Sequence, residues 1–132
     1  MSSRNDSRTY GIVSAEKQKE MTGREFVQRL ANGTLPLNTI AKTLGYDIAE
    51  AESGRVVVTA EPKDIHLNPA GSVHGGLAAT VLDSCMGLAI QSTLEKGVGS
   101  TTLSQSDGLD GGFCVPTKSS ATAPQSLGGL TI

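Results

Sequence analysis

The sequence predicts an α+β fold, and three observations carry the prediction. Residues 45 to 61 have the pattern of a β-hairpin, an unbroken apolar run from Leu77 to Leu94 is too long for a strand, and Thr22 to Gly33 reads as a short amphipathic helix. At 132 residues the chain has the size of one domain. Only 3% of it is aromatic, so Val, Leu, Ile and Ala must build the core.

Along the chain, residues 1–20 are polar and are expected to form a flexible lead. They lack the apolar stretch of a secretory signal, which points to a cytoplasmic protein. Thr22 stands three residues before Glu25 at capping-box spacing, Phe26, Val27 and Leu30 follow on one face, and Asn32-Gly33 supplies a stop. Two strands are expected around Gly45 to Glu52 and Arg55 to Glu61, since Val56, Val57 and Val58 favour strand and Ser53-Gly54 a tight turn. A Gly/Pro loop at 68–72 runs into the long helix, which is apolar on nearly all faces and is therefore expected to be buried. Thr80, Asp83, Ser84, Gln91, Ser92 and Thr93 are too many polar groups for a membrane span. A third strand is expected from near Val98. Residues 104–132 are rich in Gly, Ser, Thr and Pro without alternation and are expected to be irregular or disordered.

Charge and cysteine content narrow the function. A net charge of −2 carries no basic footprint for nucleic acid or an anionic membrane. Cys85 and Cys114 have no zinc-ligand spacing, and the set His66, His74, Asp64 and Asp83 matches no ligand pattern, so neither metal nor cofactor is expected. Cys85 reads as core packing.

Asp83 is the one formal charge between Gly75 and Leu94. A carboxylate in a buried helix costs several kcal/mol unless partners compensate, so it needs a reason. A structural Asp bonded to backbone or at a subunit interface is one. A functional one is suggested by Gly76, Thr80 and Gly87, which share its stripe and leave room beside it. Gly75 and Gly76 open the helix, where unpaired N–H groups make an electropositive pocket suited to an oxyanion, or else a simple tight turn. Asn68 and His74 taken singly read as loop or capping residues.

The run HLNPAGSVHGGLAATVLDSCMG resembles the signature of PaaI-type (phenylacetyl-CoA thioesterase-like) hotdog proteins, with the spacing from Asn68 through His74 to Asp83 intact. The likeness extends over residues 21–103 and implies a hotdog fold, a long central helix wrapped by a curved antiparallel sheet. It further implies a homodimer or homotetramer hydrolysing a small or aromatic acyl-CoA at the subunit interface. In that picture Asp83 is nucleophile or general base, the Gly75 N–H polarises the thioester carbonyl, and Asn68 of the opposite subunit orients carbonyl or water. His74 supports the loop, while Gly76 and Thr101 or Thr102 contact substrate or water.

Members of the family continue with three more long strands where this sequence turns to Gly, Ser, Thr and Pro. The sheet is therefore expected to be truncated after the third strand, through a frameshift or an alternative gene end. One side of the helix, with Leu82, Leu88 and Ile90, would then be uncovered and the chain loosely folded. The competing reading is a catalytically inactive fragment that only binds acyl-CoA or associates with family members.

Overall fold

The computed structural model describes residues 7–102 and the backbone of 130–131. In chain order it holds α1 (Ala15–Lys19), α2 (Gly23–Asn32), α3 (Thr39–Leu44), β1 (Tyr46–Glu52), β2 (Arg55–Ala60), a 3-10 turn (Asp64–His66), α4 (Gly75–Gln91) and β3 (Leu130–Thr131). The α+β class is as predicted.

Local chemistry explains most boundaries. Thr22 and Glu25 form the capping box of α2, and Gly33 ends that helix in the left-handed region at φ 84°. Ser53-Gly54 turns β1 into β2, which pair antiparallel in the register Tyr46↔Ala60, Ile48↔Val58 and Ala51↔Val56. A bulge between Ile48 and Glu50 moves the inward position onto Ala51, so the apolar face stays continuous despite the extra residue. The core is aliphatic, centred on Val27, Leu35, Leu37, Ile48, Val58 and Val81.

The helix α4 lies on this hairpin through Leu77, Val81 and Cys85, spaced one turn apart and all buried. Three side-chain hydrogen bonds fasten it there. Cys85 Sγ donates to Val56 O at 3.2 Å, Tyr46 Oη lies 2.9 Å from Ser84 Oγ, and Gly54 N–H donates to Ser92 Oγ at 2.8 Å. At the far end of α4, Gly23 N–H donates to Leu94 O at 3.0 Å. A Cβ on Gly23 would lie 1.7 Å from Gln91 O, so only glycine lets α2 begin there.

Four expectations need correction. Residues 7–20 are not an unattached lead: Tyr10 bridges Leu37, Val13 and Met21 are buried, and Ser14 caps α1. The Arg8 guanidinium, 4% exposed, pairs with Asp47 and donates to Leu30 O, a burial of charge by partners that hydropathy does not register. The helix α4 is not buried all round, because β2 covers one face and Ile90 on another is 55% exposed. Residues 98–102 form no strand: Val98 N–H closes a turn onto Glu95 O, and Gln91 Nε2 donates to Val98 O, so neither group is left for a ladder. Finally, Leu130 and Thr131 pair with Ala60 and Thr59, a short strand inside the segment expected to be irregular. The rest of that segment, residues 103–129 and 132, with Cys114, lies outside the described residues, as do residues 1–6.

Candidate functional site

Two groups of the singled-out residues sit at different places on α4. The first is the loop that leads into it. Asn68 is the hub of this loop: its Oδ1 accepts from Ala70 N–H at 3.0 Å and from Ser72 N–H at 3.1 Å, and its Nδ2 donates to Ser72 Oγ at 2.8 Å. Backbone bonds Asn68 N to Ser72 O and Gly71 N to Asn68 O tighten the same turn, and Leu67 bridges Val73. The carboxamide oxygen thus has both lone pairs engaged within the loop, which leaves Asn68 one amide proton to offer elsewhere.

His74 is the N-cap of α4. Its Nδ1 accepts from Gly76 N–H at 2.8 Å, which places the ring proton on Nε2. A Cβ on Gly76 would lie 2.9 Å from that Nδ1, so the glycine is what lets the imidazole fold back over the helix end. Gly75 N–H has no hydrogen-bond partner among the described residues and is exposed, with open space around the residue. This N–H is one of the donors every helix start leaves unpaired, here set at the positive end of a long helix.

The second group surrounds a cavity of about 700 Å³ along α4, beside the Leu77 stripe. Asp83, Met86, Gly87 and Ile90 of α4 form one wall, Phe26 and Leu30 of α2 another, and residues 11–13 with Pro36 a third. Thr101 and Thr102 close the rim. Asp83 is half-buried rather than buried, because this helix face opens on the cavity, and its carboxylate has no hydrogen-bond or ion-pair partner among the described residues. A carboxylate without partners on an apolar wall keeps all its acceptor sites for a ligand or a water.

The structure therefore brings Asp83, Thr101 and Thr102 together and keeps Asn68, His74, Gly75 and Gly76 apart from them. More than two helical turns separate Gly75 from Asp83, about 12 Å at 1.5 Å per residue. No group of His, Cys, Asp and Glu among the described residues could hold a metal ion, and no helix there is long and apolar enough to cross a membrane. Three polar residues at or behind the cavity wall that sequence reasoning passed over are Asn38, Tyr46 and Ser84. The signal for them was a tyrosine at the start of a strand, whose hydroxyl has to find a partner once buried.

No family model and no curated protein matches the chain. Among solved structures it is similar to a phenylacetic acid degradation-related protein from Ralstonia eutropha JMP134, named as a candidate thioesterase. The identity is 30%, over 56% of this chain and 58% of that one, with a TM-score of 0.50. It is also similar to the E. coli PaaI protein from the phenylacetic acid degradation operon, at 28% identity over 53% of this chain and 51% of that one, with a TM-score of 0.46. The chain thus spans little more than half the length of either. The arrangement of α4 on the β1–β2 hairpin is that of hotdog thioesterases of the PaaI type.

Proposed function

We propose that this chain, similar to PaaI-type hotdog thioesterases, is an acyl-CoA thioesterase acting on a small or aromatic acyl group, with the acyl group seated in the cavity beside Asp83. One observation carries the reading: the unpartnered Asp83 carboxylate faces an apolar cavity of about 700 Å³. That size and character suit a small acyl or phenylacetyl group. Hydrolysis of a thioester needs an oxygen nucleophile made or aligned by a base, and donors aimed at the carbonyl oxygen. Asp83 supplies the base or nucleophile, Thr101 or Thr102 holds water beside it, and the thiolate departs readily without a metal.

The donors come from a second subunit. Since Gly75 lies about 12 Å from Asp83 along the same helix, the Gly75 N–H that polarises the carbonyl belongs to the facing α4 of a homo-oligomer. Asn68 and His74 of that subunit shape the loop and contribute the remaining amide proton and the Nε2–H. Each active site then combines the cavity of one chain with the helix start of another.

The test is a thiol-release assay on the purified full chain with phenylacetyl-CoA and short and long aliphatic acyl-CoA esters. Release that Asp83→Asn abolishes is the expected result. Mixing Asp83→Asn subunits with Gly75→Pro subunits restores part of the activity if the two halves come from different chains. No release from any ester would overturn the reading, and binding without release would make the protein a binding module.

A further inference from the structure

Asn38, Tyr46 and Ser84 form a hydrogen-bonded chain that runs from the edge of α3 through the start of β1 to the residue next to Asp83. Asn38 Nδ2 donates to Tyr46 Oη at 3.2 Å, and Tyr46 Oη lies 2.9 Å from Ser84 Oγ. The direction of the second bond follows from counting protons. Tyr46 is 2% exposed, its oxygen already accepts from an amide that can only donate, and its own proton has one acceptor among the described residues, Ser84 Oγ. A buried phenol that left this proton unplaced would incur a desolvation penalty, so Tyr46 donates to Ser84.

The remaining proton of Ser84 is then available. Hydroxyls in helices usually turn back to a carbonyl of the preceding turn. Three neighbours do so: Thr80 donates to Gly76 O at 2.9 Å, Ser92 to Ala89 O at 2.6 Å and Thr93 to Ile90 O at 2.7 Å. Ser84 makes no such bond and lines the cavity. Asn38 behaves unusually as well, because at the N-cap of α3 it makes no side-chain cap and gives its amide to Tyr46 instead.

We propose that Tyr46 is a positioning residue for the chemistry at Asp83, acting through Ser84. Consecutive helical residues are about 100° apart, so a tie at Ser84 sets the roll of α4 and with it the direction of Asp83. The tie acts beside Gly87, which has open space around it and no side chain to brace this side of the helix. The same bond turns the Ser84 proton to the cavity, where it donates to the water or the bound acyl carbonyl beside Asp83.

This rests on the thioesterase reading, and the experiment separates the two. Tyr46→Phe keeps the ring that fills the core and removes only the hydroxyl. The expected result, with phenylacetyl-CoA as probe, is a kcat lowered about 10- to 100-fold with KM changed less than about twofold, the signature of lost alignment rather than lost binding. Ser84→Ala produces the same split, the double variant is no worse than either single one, and Ser84→Thr retains most of the rate. Unaltered kcat in Tyr46→Phe while Asp83→Asn is inactive would overturn this proposal alone, and so would additive losses in the double variant. Should Tyr46→Phe fail to fold, Ser84→Ala and Ser84→Thr, on the half-exposed side of α4, decide the question by the same kcat and KM split. Absence of hydrolysis in the unaltered protein ends both readings together.

Discussion

The two ends of the candidate chemistry differ in how their polar groups are engaged. In the loop from Asn68 to Gly76, the Asn68 oxygen, the His74 Nδ1 and the Gly76 N–H all bond within the loop or the cap, and the Gly75 N–H stands open. At the cavity wall the reverse holds: the Asp83 carboxylate is unengaged, and the lining around it is mostly apolar. In the proposed reaction the self-satisfied loop is a frame for one donor and the open carboxylate is the reactive group. The two are complementary, and a stretch of helix about two turns long between them prevents their meeting within one chain.

Asp83→Asn makes the strongest test of this contrast. If Asp83 is the open reactive group, the variant loses about 10²- to 10⁴-fold in kcat on any thioester that the protein hydrolyses, the span of general-base catalysis. Its stability moves by less than about 0.5 kcal/mol, because no intramolecular bond is lost. A large drop in the unfolding midpoint would instead mark Asp83 as structural.

Gly75→Pro probes the other end. Proline at the first helical position lacks the N–H yet suits the helix, and His74 at φ −64° and ψ 131° already has the extended conformation that a residue before proline needs. Circular dichroism and the melting transition are expected to stay near those of the parent, while kcat falls by about 10²- to 10³-fold through loss of one carbonyl donor. Equal turnover in parent and variant would remove Gly75 from the chemistry.

The faces of α4 give a third comparison, in stability alone. Leu77 is 4% exposed against β2, and Leu77→Ala should cost about 2–5 kcal/mol. Ile90, 55% exposed at the cavity, should cost less than about 1 kcal/mol as Ile90→Ala. Urea unfolding of both variants measures the difference. Similar losses would mean that the Ile90 face is covered in solution, as it would be in an assembled oligomer.

These faces also show where sequence reasoning reaches and where it stops. The capping box at Thr22 and Glu25, the Ser53-Gly54 turn and the glycine pair that opens α4 act through neighbours a few residues apart, so spacing alone revealed them. The pairing of Tyr10 with Leu37 and of Arg8 with Asp47 depends on residues 27 and 39 positions apart, and nothing in either segment's pattern announces it. Val98 to Thr102 failed in the opposite way: Val and Thr favour strand locally, but a strand needs a partner, and the side chain of Gln91 claims the Val98 carbonyl first. At the candidate site, the motif marked Asp83, Gly75 and Asn68 as a set. Only the folded chain shows that Asn68 is occupied by its own loop and that Tyr46 reaches the helix at Ser84.

The smallest expected effect tests the frame itself, at His74 and Gly76. Alanine at position 76 would gain about 0.5–1 kcal/mol from lower backbone entropy in the unfolded chain and better helix propensity. Its Cβ, however, would stand 2.9 Å from His74 Nδ1 and 3.3 Å from Cε1, so the imidazole has to swing away and the cap to Gly76 N–H is lost. A lost side-chain cap costs about 1 kcal/mol, close to the gain. Gly76→Ala alone should therefore change stability by less than about 0.5 kcal/mol, a near-cancellation that by itself proves nothing. The informative measurement is the same substitution made in a His74→Ala background, where no cap remains to lose. There Gly76→Ala should stabilise by about 0.5–1 kcal/mol. An identical effect in both backgrounds would show that His74 does not cap α4, and the loop would then lack the latch that holds Gly75 in place.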